Sequence, residues 1–444
     1  MHFRELFQGS SIAMVFRLVS ALASYVFTIF LSHTYGEVGV GIFSISWTIL
    51  MIGSVFGKMG FDTSIVRFMA ESAGDRSYLR MRRIYRRSLK ITLGASFFVA
   101  AVIMAFSGYF TDWFYDNVEH PWMVMLVGLA VIPYSLMSFN AESLKGLKKI
   151  LPFSIHQNVS VYFGALLILW VLYQFTPDNR MSVIALLGAV VILMISSFLT
   201  FRSFMRFYPR QDSFYSRPIP KSRTIISTTL PMMLTNTLFM MLNWTDVLML
   251  GAMSGDANVG VYNIALKIAA LNSLVLIAVN SIAMPKYAEL YRKNKVRFKQ
   301  LVKAVSFLSF VLSLPVFLVI VIFPDFMVGI FDIDDGQYAM TVLAVGQLIA
   351  TFSGSTIHLL NMTGKEKVTM YVLIVSMVVN FILNYLLIPV LGINGAAWAT
   401  AISTVLWNVL AVIMIYRYNK FLTYPLMKPG QIKHYIRLLL DKDA

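Results

Sequence analysis

Four basic side chains stand apart from the other Lys and Arg of this sequence. Arg17 and Lys267 fall inside long apolar runs, Lys58 falls near the end of one, and Arg180 lies in a short polar loop. A charge at the centre of a hydrocarbon layer costs about 2.5–3.5 kcal/mol on insertion scales, so the first three must meet a partner or a wet cavity. Acids occur at similar depth. Asp62 stands four residues from Lys58 on one helical face, Glu142 lies beside Asn140, and Asp246 precedes Lys267 across a short polar turn. Asp246 is about one and a half helical turns before that turn and Lys267 about two turns after it, so the two are expected at a depth that allows pairing. Amides share these runs: Asn272, Gln347, Asn380, Asn384 and Asn408. Most of them are expected to tie helices together. His156 and His358 have no second His or carboxylate at i+3 or i+4, so no metal site is expected. There is no cysteine, no Gly-rich phosphate loop and no Ser-His-Asp constellation, so no cofactor, no ATP hydrolysis and no bond-making chemistry is expected.

The elements that hold these groups are set by composition. Of 444 residues, 58% are hydrophobic and 13% charged, and the mean hydropathy is +0.72, more apolar surface than one soluble core can hide. A membrane helix needs roughly 20 apolar residues. Runs of that kind fall near 10–34, 39–60, 88–110, 122–143, 153–175, 181–201, 224–251, 258–284, 301–323, 338–362, 368–388 and 394–416. The expected fold is all-α and polytopic, with twelve transmembrane helices. Residues 1–210 form one six-helix bundle, 211–223 a linker, 224–416 a second six-helix bundle and 417–444 a basic tail. The apolar N-terminal stretch continues past Arg17 to Leu31, so it reads as a retained first helix rather than a cleaved signal.

A formal net charge of +16 could suggest nucleic acid, but the placement of the charges points to membrane topology instead. With the N-terminus inside, the inner segments carry 33 of the 37 Lys and Arg, and the outer loops carry Arg180 alone. Ten acids lie in those outer loops, from Glu37 and Asp112 to Asp334 and Asp335. The positive-inside rule then places both termini in the cytoplasm of a cell membrane. Ser77–Lys90 and Pro429–Leu440 mix bases with apolar residues at helical spacing, and either lie on anionic headgroups as surface helices or are solvated basic loops.

The halves repeat. Gly36-Glu-Val-Gly-Val-Gly-Ile-Phe-Ser-Ile-Ser46 aligns with Gly255-Asp-Ala-Asn-Val-Gly-Val-Tyr-Asn-Ile-Ala265 at an offset of 219, and Gly146-Leu-Lys-Lys149 aligns with Gly364-Lys-Glu-Lys367 at 218. Six helices per half is an even number, so both halves enter the membrane in the same sense. That is the parallel-repeat plan of transporters, with substrate between the bundles and alternating access by rocking.

Five ordered phrases give this plan a family likeness: Asn243-Trp-Thr-Asp-Val-Leu-Met-Leu-Gly251, Val259-Gly-Val-Tyr-Asn-Ile-Ala265, Ala283-Met-Pro-Lys-Tyr-Ala-Glu289, Met362-Thr-Gly-Lys-Glu-Lys367 and Leu386-Leu-Ile-Pro-Val-Leu-Gly-Ile-Asn-Gly-Ala-Ala397. The chain resembles the polysaccharide and oligosaccharide flippases of the multidrug/oligosaccharidyl-lipid/polysaccharide exporter superfamily. That resemblance implies a V-shaped pair of bundles that moves a lipid-linked oligosaccharide, such as a polyprenyl-diphosphate-linked repeat unit, to the outer leaflet for surface polysaccharide synthesis. The implied partners are that substrate, membrane lipids and polysaccharide polymerisation machinery, with no role for nucleic acid. The flippases of lipid-linked peptidoglycan precursors are similar but have fourteen helices, which favours a surface-polysaccharide unit.

Under this reading Arg17 leads the substrate-binding candidates, because a planar guanidinium grips a diphosphate through paired hydrogen bonds; snorkelling to the headgroups is the alternative. Lys267, Asp246, Glu142 and Lys58 follow. Arg67, with Lys286, stands at the start of an inner loop, where an arriving carrier phosphate would first be met. The Lys58–Asp62 pair is expected to neutralise itself. Energy is expected from an ion gradient or from downstream polymerisation. Two other functions compete: a cation-coupled multidrug exporter of the same superfamily, which would need an acidic cavity, and a polytopic glycan-modifying enzyme, which would need a catalytic loop.

Overall fold

The computed structural model describes residues 3–116, 121–175, 178–208 and 222–424, and every regular element among them is helical. In chain order these are α1 (Phe3–Lys58), α2 (Phe61–Gly74), α3 (Tyr78–Ala105), α4 (Ser107–Phe114), α5 (Trp122–Gly146), α6 (Ile150–Ser154), a π turn (Ile155–Val159), α7 (Ser160–Tyr173) and α8 (Met181–Arg206). Then follow α9 (Ser222–Lys293), α10 (Lys295–Ile322), α11 (Pro324–Gly329), α12 (Gln337–Ser353), α13 (Thr356–Met362), α14 (Glu366–Leu391) and α15 (Ile393–Asn419). Nine helices among the described residues are long and apolar enough to cross a membrane, or ten if the pair bent by 45° at the π turn is one span. The protein is therefore an all-α, multi-pass membrane protein.

Two helices are too long for one crossing. α1 has 56 residues and α9 has 72. At 1.5 Å per residue they would extend roughly 84 and 108 Å, several times the ~30 Å hydrocarbon thickness. Each is broken once, α1 at Gly36 (φ 66°, ψ −168°) and α9 at Gly255 (φ 83°, ψ 168°). These are the first residues of the repeated phrase, in the left-handed region where a Cβ is disfavoured. The twelve spans read from the sequence require both long helices to be counted as two, one on each side of the glycine.

The chain divides into two compact units, Met1–Trp244 with Gly255–Gly260, and Thr245–Ser254 with Val261–Ala444. In unit 1 the returned segment packs against the start of the second span. A methyl group on Gly260 would lie 1.9 Å from the carbonyl oxygen of Glu37, and one on Gly41 would lie 1.7 Å from that of Asp256. Backbone approach this close is what small residues permit in membrane bundles. Gly260→Val should therefore cost at least the ~1–3 kcal/mol typical of overpacking and lower the melting temperature of the detergent-solubilised protein. Gly329→Ala, where nothing lies within 4 Å, should not.

The rest of unit 1 is organised around α5. Phe61, Ile65, Ile84, Tyr85, Phe139 and Phe201 pack in one cluster, with the Tyr85 and Phe201 rings stacked 4.1 Å apart. The Tyr85 hydroxyl donates to Asn140 Oδ1 (2.7 Å), and Asn140 Nδ2 donates to Ser197 Oγ (3.2 Å), so this amide joins three helices.

Ser77–Lys90 is not a separate surface helix. Its residues form the first turns of α3, which runs unbroken to Ala105 and buries Arg80, Met81, Ile84, Tyr85 and Ser88. Arg80 is drawn inward by Glu71 and Asp75, each 3.9 Å from its guanidinium, and Arg82 donates to the carbonyls of Met205 (3.0 Å) and Tyr208 (2.8 Å). Pro429–Leu440 lies outside the described residues.

In unit 2, α15 packs between α14 and α12. Gly354 (φ 78°, ψ −159°) interrupts the span that α12 and α13 share, with Asn280, Ser355, Thr356 and Asn408 buried around the break. Ser355 donates to Asn280, and Thr356 donates to Asn408 Oδ1 (3.1 Å). Broken backbone at membrane depth is tolerated where protein buries it, and these side chains do so.

Candidate functional site

Asp246 lies in α9, 2% exposed, inside unit 2. Its carboxylate is taken by neutral donors. Tyr262 Oη donates to Oδ2 (3.2 Å), Asn384 Nδ2 to Oδ1 (2.5 Å) and Thr400 Oγ1 to Oδ2. Tyr262 and Thr400 also bond one another (2.9 Å), and Asn384 Nδ2 reaches Asn380 Oδ1 (3.1 Å). All of these side chains project from α9, α14 and α15 into one buried cluster, where an ionised carboxylate persists only if its oxygens are bonded.

Three neutral groups engage the carboxylate that the sequence offered to Lys267. Lys267 is half-buried on α9, five residues beyond Tyr262. Asn384, expected to tie helices together, does so by donating from α14 to this acid on α9, and Asn380 accepts from Asn384.

Unit 1 holds a second group of charges at the junction of α1, α2 and α5. Lys58, 5% exposed, has its ammonium 4.0 Å from Asp62 and 5.9 Å from the centre of the Tyr134 ring. Glu142, 7% exposed, receives a hydrogen bond from Lys145 at 3.0 Å. The two pairs are close enough to interact electrostatically. Two acids balance two bases, each pair formed locally: Lys58 with Asp62 four residues on, and Glu142 with Lys145 three residues on. Lys58 and Asp62 pair as their spacing predicts. The Lys145 partner of Glu142, three residues along the same helix, was readable from the sequence by the same rule and was not used.

Arg67 has a 62% exposed side chain whose Nε donates to Glu71 at 2.8 Å. Arg17 stands exposed on α1. The site residues read from the sequence thus separate: Lys58 and Glu142 come together, Asp246 gathers partners that were not foreseen, and Arg17, Arg67 and Lys267 stand elsewhere.

Hard oxygen atoms dominate the Asp246 cluster. Asn384 Oδ1 is buried and has no hydrogen-bond partner among the described residues. Asp246, Asn380, Asn384 and Thr400 could hold a proton on the carboxylate or a small hard cation among its oxygens, the two species that such ligands accept. No group of three His, Cys, Asp or Glu that could hold a metal occurs among the described residues.

Apolar spans, a repeated half and carboxylate–amide chemistry sunk in a helical interior define a secondary-transporter type of membrane protein. The solved structure of lipid II flippase MurJ in an inward closed conformation has the same fold: TM-score 0.69, 12% identity, covering 98% of this chain and 90% of that one. The model of the family described as polysaccharide biosynthesis protein matches residues 6–291, and the MatE model matches residues 231–386. The chain belongs to the polysaccharide biosynthesis protein family, within the multidrug/oligosaccharidyl-lipid/polysaccharide exporter superfamily. An uncharacterized membrane protein of Methanocaldococcus jannaschii is 22% identical over 438 residues, which is 94% of this chain and 84% of that protein. The probable low-salt glycan biosynthesis flippase Agl15 of Haloferax volcanii is 31% identical over 168 residues, 36% of this chain and 35% of Agl15.

Proposed function

We propose that this protein moves an oligosaccharide linked to polyprenyl diphosphate from the inner to the outer leaflet of the cytoplasmic membrane by alternating access. One observation carries the reading. Among the described residues the acids within or next to the apolar spans are engaged by the protein: Asp62 by Lys58, Glu142 by Lys145, and Asp246 by Tyr262, Asn384 and Thr400. Arg17, by contrast, is an exposed cation in an apolar span. A surface that offers cations and withholds acids suits a phosphate-bearing lipid and opposes a lipophilic cation. Arg17 of unit 1 binds the diphosphate through its planar fork. The Asp246 cluster couples movement to an ion gradient by exchanging a proton or small cation, and Lys58 with Glu142 holds unit 1 rigid. Family membership and the named glycan flippase among the relatives support the substrate class. Polymerisation enzymes that consume the flipped unit are the expected partners, and the protein itself makes no bond.

The multidrug-exporter reading keeps one support, the MatE match over residues 231–386. Binding separates the two. The purified protein should bind a polyprenyl-diphosphate oligosaccharide and fail to bind a cationic dye such as rhodamine 6G; the reverse result would exchange the two readings. Orientation has its own test, because a chain without cysteine accepts single-cysteine labelling directly. Asp334→Cys should react with an impermeant maleimide in intact cells and Arg297→Cys only after permeabilisation, both positions being exposed. Labelling of Arg297→Cys from outside would invert the topology.

A further inference from the structure

We infer that unit 1 holds a sugar-stacking subsite, in which Trp47 and Tyr162 seat the first pyranose rings of the lipid-linked glycan whose diphosphate lies on Arg17. The inference rests on the proposed substrate class. α1 has two unlike sides. At about 100° per residue, Arg17, Ser20, Ser24 and Thr28 fall within roughly 80° of one another. Val15, Leu18, Val19, Leu22 and Val26 are exposed and lie about 100–180° around the helix from Arg17. Hydrocarbon accounts for that apolar side; a cation followed by hydroxyls on the other side belongs against protein or a polar ligand. Ser20 and Ser24 are half-buried and Thr28 is buried, so the polar stripe runs from exposed Arg17 into the body of unit 1. There it meets aromatic rings. The Ser24 and Tyr162 side chains hydrogen-bond one another. Between ring centres, Tyr162 lies 5.3 Å from Trp47, and Trp47 lies 6.0 Å from Tyr134. Phe27, Phe43 and Tyr134 of this cluster are buried, whereas Trp47 and Tyr162 keep part of their surface exposed.

Depth separates this pair of rings from an ordinary aromatic belt. Trp47 stands midway between Gly36 and Lys58, about 16 Å from either end of its span and so near the middle of a ~30 Å hydrocarbon layer. Trp and Tyr of membrane proteins concentrate at the two interfaces, where their polar tips reach water and headgroups. A partly exposed indole beside a partly exposed phenol at mid-membrane depth answers to something else. A glycan carried across the bilayer fits both parts of the surface. The C–H edges of a pyranose carry partial positive charge and stack on the negative π faces, while its hydroxyls bond the polar rim. The bond between Ser24 and Tyr162 leaves that rim competent, since each hydroxyl donates once and accepts twice. Length agrees as well. Ser24 lies seven residues beyond Arg17, about 10 Å along α1, the reach from a diphosphate to the first or second sugar attached to it.

The test uses the full-length protein in nanodiscs of zwitterionic phospholipid, because glycoside detergents would occupy such a subsite. The probes are polyprenyl diphosphate and the same lipid carrying a glucose disaccharide. Wild type should bind the glycosylated lipid about tenfold more tightly than the bare one. Trp47→Leu should lose that preference and bind the bare lipid as wild type does, with Trp47→Phe between the two, whereas Arg17→Ala should weaken both probes alike. A folded Trp47→Leu that keeps the preference overturns the inference, as does one that loses affinity for both probes equally, which would make Trp47 a packing residue. The free disaccharide should not compete at equal concentration; equal competition would mark a sugar site unconnected to Arg17 and overturn the inference too. If Trp47→Leu does not fold, a glycosylated lipid with a photoreactive group on its first sugar should label wild type on α7 or between residues 20 and 47; labelling confined to other segments overturns it. The two proposals fail separately. If wild type binds neither lipid and moves no glycosylated lipid in vesicles, the transport reading is lost together with the subsite; if it moves the glycosylated lipid yet binds the bare one equally well, only the sugar subsite is lost.

Discussion

Arg17→Ala is expected to reduce flipping of a polyprenyl-diphosphate oligosaccharide by about 10- to 100-fold, the equivalent of the ~1.5–3 kcal/mol carried by a hydrogen bond to a charged group. Expression and thermal stability should stay at wild-type values, because Arg17 is exposed and its removal leaves no buried group without a partner. Arg17→Lys should fall between the two, since it keeps the charge and loses the planar fork. The measurement is the initial rate in proteoliposomes at matched protein density. Wild-type rates in Arg17→Ala would mean that the side chain only reaches for headgroups, as its depth in α1 permits.

The second large effect concerns Asp246, where two substitutions should part company. Asp246→Ala removes the acceptor that Tyr262, Asn384 and Thr400 share, stranding buried donors at about 1–3 kcal/mol each, so loss of folded protein is expected. Asp246→Asn keeps an oxygen acceptor and nearly the same volume, so the variant should fold. It cannot exchange a proton or balance a bound cation, and its transport should no longer respond to an imposed proton or sodium gradient. Melting temperature and gradient-driven transport, measured on both variants, decide the matter. A gradient response retained in Asp246→Asn would make the cluster a structural lock and move coupling elsewhere.

Local regularities carried much of this architecture into the sequence. Apolar runs of bilayer length marked the spans, and the repeat located Gly36 and Gly255, the two residues at which α1 and α9 break. Pairs three or four residues apart were equally accessible: Lys58 with Asp62 was read, and Lys145 with Glu142 could have been. The Asp246 cluster could not be assembled in the same way. Its partners lie 16, 138 and 154 residues away, and nothing in the periodicity of α14 or α15 brings Asn384 or Thr400 to that carboxylate. Tyr262 lay inside a repeated phrase, which marked the segment but not its hydroxyl. The start of α3 was misread for a related reason. Bases spaced among apolar residues describe a surface helix and the first turns of a spanning helix equally well, and only Glu71 and Asp75 around Arg80 decide between them.

Buried polarity differs between the two units. In unit 1 the buried charges of Lys58 and Glu142 are each paired locally, with Asp62 and Lys145. Unit 2 keeps a carboxylate among neutral ligands, with an amide oxygen to spare, a group that can change its charge or its occupant without a cation already bound beside it. A transporter needs both, something rigid to swing and something titratable to drive it.

The central claim is that an exposed intramembrane cation selects a phosphate-bearing lipid. It is tested most directly by time-resolved exposure of a fluorescent polyprenyl-diphosphate oligosaccharide at the outer leaflet of proteoliposomes, with a phosphate-free prenyl glycan of equal size run in parallel. Wild type should expose the diphosphate substrate fast and Arg17→Ala slowly, with no protein-dependent movement of the phosphate-free analogue. Equal transport of both lipids by wild type, indifferent to Arg17, would contradict it.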